Sequence, residues 1–282
     1  MEVYLAGDGL WRGCVPFYLK KEMEIYLAGA ESRFKSITTN GDLKNIEDRF
    51  EDKNIPKTLN ILMSFYYKDT TLTKNISNFK NFLLDSGAFT YFGCKKNVKV
   101  DWKKYIENYA EYINQNKVEK FFELDIDPLI GYDNVIKLRN YLEQLTQKQC
   151  IPVWHKKRGK DEFVNLCKNF PYIAIGGIVS KEITKDDYKY FPFFINTAHK
   201  YGAKIHGLGF TNLEGIKKYH FDSVDSSSWT IGNRAGKLYK FNGRTMENVN
   251  KKEGTRFKDH WELARHNFCE WAKFCNYARD NL

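Results

Sequence analysis

The stretch Leu83–Phe89 (LLDSGAF) decides the fold, because a short apolar run ends there in an aspartate, a serine and a glycine. An apolar run followed by polar residues or glycines recurs five times, ending at residues 123–127, 154–156, 176–178, 206–209 and 222–229. In a parallel barrel, catalytic groups project from the carboxyl ends of the strands. Buried carboxylates are costly unless they are paired, so these six ends indicate a functional rim.

The apolar runs predict eight strands separated by stretches of helical period. They are Glu24–Ala28, Leu59–Phe65, Phe82–Asp85, Phe121–Asp125, Ile151–Trp154, Tyr172–Ile175, Lys204–Leu208 and Phe221–Asp225. Apolar stripes at residues 102–113, 135–145 and 163–170 predict amphipathic helices between them. The order predicts an α/β fold: one (β/α)8 TIM-like barrel over about residues 24–236, with a C-terminal helical extension over about 237–282, in a single domain.

An open doubly wound sheet is the alternative fold. The chain has neither G-x-G-x-x-G nor a Walker A motif, which disfavours that fold and a bound dinucleotide or nucleoside triphosphate. The first strand is ambiguous, because Glu2–Gly7 (EVYLAG) nearly repeats as Glu24–Gly29 (EIYLAG).

Three further segments have weaker patterns. Residues 31–58 are predicted to be a loop with one short helix, and residues 230–254 are polar and rich in glycine and asparagine. A final helix is predicted over Arg256–Arg279, packed on the barrel exterior; a homodimer interface is the alternative use of its face. That apolar face comprises Phe257, Trp261, Ala264, Phe268, Trp271 and Cys275.

Composition excludes several classes. The chain of 282 residues is 42% hydrophobic and 16% aromatic, which is too apolar for a disordered protein. No apolar run reaches the ~20 residues that cross a bilayer, and residues 1–20 lack the pattern of a secretion signal. We therefore expect no membrane partner and a cytoplasmic location. The net charge of +10 favours polyanionic partners, although a lysine-rich surface alone would also produce it.

The six cysteines include no C-x-x-C pair. Cys269 and Cys275, near His260 and His266, invite a zinc site, but positions six apart lie on different helix faces. Free thiols in a reducing compartment are the favoured interpretation.

Each rim residue has an ordinary structural explanation as well. Asp85 could cap a helix, Gly176-Gly177 could form a tight turn, and His155 could be a surface histidine beside Lys156. Asp225 is the strongest single candidate, although Asp222 lies close enough in sequence to compete.

Four segments, taken in order, resemble the tRNA-guanine transglycosylase superfamily, and more closely its DNA-acting relatives, the DpdA-type 7-deazaguanine transglycosylases of phages and mobile elements. LLDSGAF is similar to the family's DSGGF, IAIGGI (Ile173–Ile178) to GGLAVG, and HGLGF (His206–Phe210) to MGVG. VDSSSWTIGNRAG (Val224–Gly236) resembles FDCVLPTRNARNG, with eleven residues from the aspartate to the final glycine in both. The resemblance covers about residues 60–236.

The resemblance implies that Asp225 is the nucleophile and Asp85 the general acid and base. The guanine-reading aspartate falls at Asp125 or Asp127, which share a strand face, and we favour Asp125. The remaining implied contacts to the base are Ser86, Gly87, His155, Gly176, Gly177 and Leu208. His155 stands where the family has Gln-Gly, and the backbone of Gly176 and Gly177 is expected to lie against the heterocycle.

The predicted reaction replaces guanine in DNA with a free 7-deazaguanine base such as preQ0 or a relative, and needs no cofactor or metal. The phosphate backbone is expected to contact Lys156, Lys157, Arg158, Arg234, Lys237 and Arg244. The family's C-x-C-x-x-C zinc subdomain has no counterpart after Gly236, which favours DNA over tRNA.

Three alternatives remain: a zinc-free tRNA enzyme, a metal-dependent barrel hydrolase and a non-enzymatic nucleic-acid-binding barrel. The hydrolase would use Asp85, Asp125, His155 and Asp225 as ligands. The binding protein is disfavoured, because carboxylates at the mouth contribute nothing to holding a polyanion.

Overall fold

The computed structural model describes residues 23–50, 54–93, 100–230, 236–249 and 259–282. The predicted EVYLAG repeat at residues 2–7 lies outside these ranges. Glu24–Ala28 is the first barrel strand among the described residues, because it pairs with the strands at residues 60–64 and 223–226.

Seven parallel strands form one curled sheet in the order β3-β2-β1-β7-β6-β5-β4. They are β1 (Glu24–Ala28), β2 (Asn60–Ser64), β3 (Asn81–Asp85), β4 (Val153–Trp154), β5 (Tyr172–Ile175), β6 (Lys204–Gly207) and β7 (Ser223–Ser226). The strand order and the parallel pairing confirm the predicted TIM-like α/β architecture.

The remaining predicted strand, Phe121–Asp125, is reduced to bridging residues that link the two edges of this sheet. The amide of Phe122 donates to the carbonyl of Leu84 at 3.0 Å, and the amide of Ile151 donates to the carbonyl of Phe121 at 2.8 Å. Both bridges are parallel. The segment therefore stands between β3 and β4 as the fourth strand position, and it brings the barrel to eight.

The barrel interior is filled, because alternate residues of each strand point inwards. Its apolar middle consists of Tyr26, Ala28, Leu62, Leu83, Phe122, Ile151, Val153 and Ala174. Polar contacts occupy the end where strands begin: the Asn81 amide donates to Glu24 Oε1 at 2.8 Å and to Asn60 Oδ1 at 2.9 Å. The opposite end, where the strands finish, is the mouth.

The helices surround this barrel. They are α1 (Phe34–Ile37), α2 (Lys44–Phe50), α3 (Thr70–Lys74), α4 (Trp102–Gln115), α5 (Asp127–Ile130), α6 (Tyr132–Thr146), α7 (Gly159–Asn169), α8 (Phe191–Lys200), α9 (Leu213–Lys218) and α10 (His260–Asn281). Short 3₁₀ turns cover Ala30–Ser32, Ile55–Thr58, Phe65–Tyr67, Ile76–Asn78, Ala88–Gly93, Lys156–Arg158 and Lys185–Tyr190. The three predicted amphipathic stripes are confirmed as α4, α6 and α7.

Two polar segments hold more structure than predicted. Residues 31–58 contain α1 and α2 rather than one short helix. Residues 230–254 contain an antiparallel hairpin, β8 (Leu238–Phe241) and β9 (Met246–Val249). Its signal was Asn242-Gly243, since Gly243 turns with φ of 91°.

The final helix, α10, packs on the barrel exterior as predicted. Phe268 meets Trp229, just beyond β7, with ring centres 5.2 Å apart. Trp261 departs from the predicted apolar face, because it is 47% exposed with Arg33 above its ring. The helix ends at the opposite side of the barrel, where Arg279 donates to the carbonyl of Thr58 before β2.

No zinc cluster forms on this helix among the described residues. Cys269 and Cys275 are buried free thiols, and His266 contacts the carbonyl of Tyr239 at 2.8 Å. None of the helices in the described ranges combines the length and apolarity needed to span a bilayer.

Candidate active site

The mouth gathers side chains from strands far apart in sequence. Asp85 is the last residue of β3, and Asp225 lies in β7. Asp125 follows the bridging segment between β3 and β4, and His155 follows β4. The inward alternation that fills the barrel brings these groups to one rim.

Asp225 is held in a buried polar network. Its Oδ1 accepts a hydrogen bond from the amide of Gly209 at 2.5 Å and lies 3.2 Å from His206 Nε2. The other ring nitrogen of His206 lies 2.6 Å from the Ser223 hydroxyl. These contacts fix the orientation of the carboxyl, while 12% of its side chain stays exposed.

Asp222, the competing candidate, lies at the opposite end of β7. Its Oδ2 accepts from the amide of Ile205 at 2.8 Å and lies 2.8 Å from His199 Nε2. Asp222 directly precedes β7, whereas Asp225 is the third residue of the strand, so Asp222 does not reach the mouth.

Asp85 lies close enough to Asp125, Asp225 and Glu31 for the charges of these three carboxyls to affect its proton. Burial, followed by the negative charges of Asp125 and Asp225, raises its pKa from 3.8 to about 7. A hydrogen bond from the amide of Gly87 at 3.2 Å opposes this shift. Asp85 can therefore hold a proton near neutral pH and release it again, as a general acid and base requires.

His155 bridges two carboxyls. Its Nε2 lies 2.5 Å from Asp125 Oδ1, and its Nδ1 lies 2.9 Å from Glu182 Oε2. Burial alone would lower the pKa of this imidazole, but the two acidic partners outweigh burial and raise the pKa to about 9. The sequence predicted that His155 contacts the base. Both of its ring nitrogens face carboxyls in this structure, so here His155 orients Asp125.

Arg158 pairs with acidic groups beneath the rim. Its guanidinium donates to both oxygens of Asp127, and to Glu123 Oε1 at 3.1 Å. Its side chain is 2% exposed, and the ring of Tyr132 lies 4.0 Å away. This burial corrects the predicted phosphate contact of Arg158. Because Arg158 occupies both oxygens of Asp127, Asp125 is the one of these two aspartates that can contact a ligand.

Asp125, Asp127 and His155 are the described residues whose oxygen and nitrogen atoms lie close enough to share a metal ion, within 4.8 Å of one another. Their partners argue against that use. Asp127 is paired with Arg158, and the raised pKa of His155 favours the imidazolium, whereas a metal ligand must be neutral. A cation here would have to displace two positive charges that the protein already supplies.

Two predicted base contacts have other roles. Ser86 is enclosed: it is 1% exposed, its hydroxyl oxygen accepts from the amide of Ala88 at 3.4 Å, and its carbonyl accepts from the hydroxyl of Tyr105 at 2.6 Å. A side chain at Gly176 would come within 2.9 Å of the His155 ring. The absence of a side chain there leaves room for the His155 ring, a role of Gly176 that the sequence did not predict.

The other predicted contacts stay near the rim. Gly87 has φ of 70°, and Gly177 has φ of 82° with Glu182 beside it. Leu208 is half-buried on top of the interior cluster. These three residues can border a ligand in the mouth.

The basic residues predicted to contact the phosphate backbone lie in different parts of the structure. Lys156 and Lys157 are exposed directly after β4, and Lys156 reaches Asp187 at 2.8 Å. Lys237 is exposed where the β8–β9 hairpin begins. Arg234 lies outside the described residues.

Arg244 was predicted to contact phosphate near the rim, but it does not lie at the mouth. It is exposed in the turn of the hairpin, which runs along α10 away from the mouth. Tyr239 lies against Asn267, whereas Phe241 already reaches Tyr277 near the far end of that helix. Arg244 therefore lies towards the opposite end of the barrel.

Glu31 and Glu182 lie at the site but were not predicted from the sequence. Glu31 follows β1, and its Oε2 is buried without a hydrogen-bond partner among the described residues. Burial raises its pKa to about 7, and the charge of Asp69 contributes. Its position three residues after the end of β1 is the sequence feature that indicates a place at the rim. Glu182 follows β5 in a loop without a pattern, and only the tertiary contact with His155 identifies it.

Similarity to known proteins is confined to distant structural matches. No protein-family model matches the chain, and no curated protein sequence matches it. Among solved structures, one match is "QR15, an Aldolase", with 13% identity, a TM-score of 0.44, and coverage of 75% of this chain and 92% of that one. Another is the carboxyl transferase domain of Rhizobium etli pyruvate carboxylase with oxalate, with 13% identity and a TM-score of 0.46. That match covers 100% of this chain, which spans about half (54%) of the matched chain.

Proposed function

We propose that this chain is a base-exchange glycosyltransferase that replaces guanine in a nucleic acid with a 7-deazaguanine derivative. One observation carries the proposal: Asp85 and Asp225 share the mouth of the barrel, and Asp85 has a pKa of about 7. A carboxyl that can hold a proton, opposite a second carboxyl oriented for attack on one sugar carbon, is what a double displacement needs.

In the first step, Asp225 attacks C1′ of the nucleotide. The C1′–N9 bond breaks, its electron pair passes to N9 of guanine, and the proton of Asp85 goes to the departing base. The product is a glycosyl ester of Asp225. The amide of Gly209 holds the attacking carboxyl in a fixed orientation throughout.

In the second step, the incoming base loses its N9 proton to the Asp85 carboxylate. N9 then attacks C1′, and the C1′–oxygen bond to Asp225 breaks. Two inversions give net retention at C1′. One glycosidic bond replaces another of similar energy, so the exchange needs neither ATP nor a redox cofactor.

Asp125 is suited to read the base. One of its oxygens faces His155, and the other can accept from the N1–H and exocyclic amino group of a guanine. A carboxylate left without such donors would be costly in this buried setting, which favours guanine and its 7-deaza analogues over adenine.

DNA is the favoured polymer, because the segment after Gly236 lacks the cysteine pattern of the zinc subdomain in the tRNA-acting relatives. The net charge of +10 suits either polymer. A zinc-free tRNA enzyme is the second candidate.

Labelled preQ0 tests the proposal. The purified chain is incubated with labelled base and guanine-containing single-stranded DNA, duplex DNA or tRNA, and label in the polymer is counted. We expect uptake into DNA, loss of at least about 10³-fold with Asp225→Asn, and a covalent protein–DNA adduct that only Asp225 supports. Uptake into tRNA alone would replace DNA with the second candidate, and uptake into no polymer would refute the exchange.

Asp222→Asn is the matched control, because it changes a carboxyl of the same strand at the end away from the mouth. It should retain label uptake once its folding is verified by circular dichroism. Uptake that persists after chelation with EDTA would exclude the metal-dependent hydrolase.

A further inference from the structure

A cleft of about 500 Å³ opens beside the mouth on the side of Asp85. Its lining includes Phe65, Tyr66, Lys68, Tyr91, Tyr105 and Asn108. The cleft and the mouth share a wall. The hydroxyl of Tyr105 donates to the carbonyl of Ser86, and a side chain at Gly87 would come within 2.5 Å of the Tyr66 Cβ.

The rings at the entrance are exposed and mutually perpendicular. Tyr66 is 40% exposed and its neighbour Tyr67 is 55% exposed. Tyr66 meets Tyr67 at 79° and Tyr91 at 89°, with ring centres 4.8 Å and 5.2 Å apart. Edge-to-face packing fixes the rings and leaves flat faces on which another planar group can stack.

The polar lining suits a base rather than an aliphatic ligand. Asn108 supplies an amide that both donates and accepts, as the edge of a nucleobase requires. Lys68 lies at the same entrance, with its ammonium 4.4 Å from the Phe65 ring centre, where it can meet a phosphate. Aromatic faces together with a nearby cation are the usual means of holding single-stranded nucleic acid.

We propose that this cleft is a second base-binding subsite, which stacks a nucleotide adjacent to the one whose base is exchanged. The inference rests on the proposed function and deepens it. The substrate is then a single or locally melted strand, since a base paired in a duplex cannot enter the cleft and stack on Tyr66.

The test uses binding, which does not depend on base exchange. Short single-stranded oligonucleotides carry one guanine with 2-aminopurine on its 5′ or 3′ side, and fluorescence is followed on titration with the full chain. Stacking on tyrosine quenches 2-aminopurine, so we expect quenching with one of the two probes. Tyr66→Ala should abolish the quenching and raise Kd about tenfold, whereas Tyr66→Phe should retain both.

Tyr201→Ala is the matched control, because Tyr201 is 39% exposed after α8, at the end of the barrel where strands begin. It should bind as the wild type does. Equal quenching by wild type and Tyr66→Ala, or a duplex that binds as tightly as the single strand, would overturn the subsite. If quenching depends on Tyr66 but no polymer takes up labelled base, the subsite stands and the proposed exchange fails.

Discussion

His155 and Glu182 are joined by a contact of 2.9 Å between Nδ1 and Oε2, and this contact leaves the opposite ring nitrogen facing Asp125. The arrangement places a cation behind the aspartate proposed to read the base. It explains why the loop after β5, which has no sequence pattern, matters to the site.

Glu182→Gln should lower the pKa of His155 from about 9 towards 6.5, because one of its two acidic partners is lost. The measurement is a titration of imidazole signals by NMR, with the other histidines as internal references. An unchanged titration of His155 would show that Glu182 does not act on the ring.

Asp85→Asn should stabilise the protein more at pH 8.5 than at pH 5. Burial raises the pKa of Asp85 from 3.8 to about 7, so its contribution to stability is full below about pH 4 and is lost as pH rises through 7. The neutral asparagine avoids that loss. We expect the difference in Tm between variant and wild type to grow by roughly 2–5 °C between the two pH values.

Asp187→Asn is the control for this pH dependence. The hydrogen bond from Lys156 leads the contacts that lower the pKa of Asp187 to about 2, so its charge is constant from pH 5 to 8.5. The Tm difference of this variant should not change over that range. Parallel curves for Asp85→Asn and wild type would contradict the raised pKa.

Arg158→Met should destabilise the fold by about 3–5 kcal/mol, because it leaves Asp127 and Glu123 without their buried cation. Lys157→Met, one residue away and exposed, should change stability by no more than about 0.5 kcal/mol. Urea denaturation measures both. A stable Arg158→Met variant with weakened DNA binding would restore the original prediction that Arg158 contacts phosphate.

Gly176→Ala should displace the His155 ring, since the added methyl would lie 2.7 Å from Val153 Cγ1 and 2.9 Å from the ring. We expect a loss of about 1–3 kcal/mol in stability and a shifted NMR signal for His155. Gly202→Ala meets no atom within 4 Å, so it should cost only the strain of its φ of 77°, about 1 kcal/mol, and leave that signal in place. Identical His155 signals in both variants would mean that Gly176 is not needed for the ring.

The sequence by itself determined the barrel, the order of its strands and the rim position of Asp85 and Asp225. Periodicity is a local property. Alternation along a strand sets the face to which each side chain points, whatever its partners in the fold. Glu31 follows the same rule, because it lies three residues after the end of β1.

Only the tertiary structure decided which polar groups are available. Asp125 and Asp127 are equivalent by strand period, and Arg158 and Lys157 are adjacent basic residues, yet one of each pair is committed to a buried partner. Such pairing depends on side chains brought together across 30 residues or more, as with Asp127 and Arg158 or Asp125 and His155. The energy of a charge is set by the burial and partners that it finds there, and one-dimensional spacing does not contain that information.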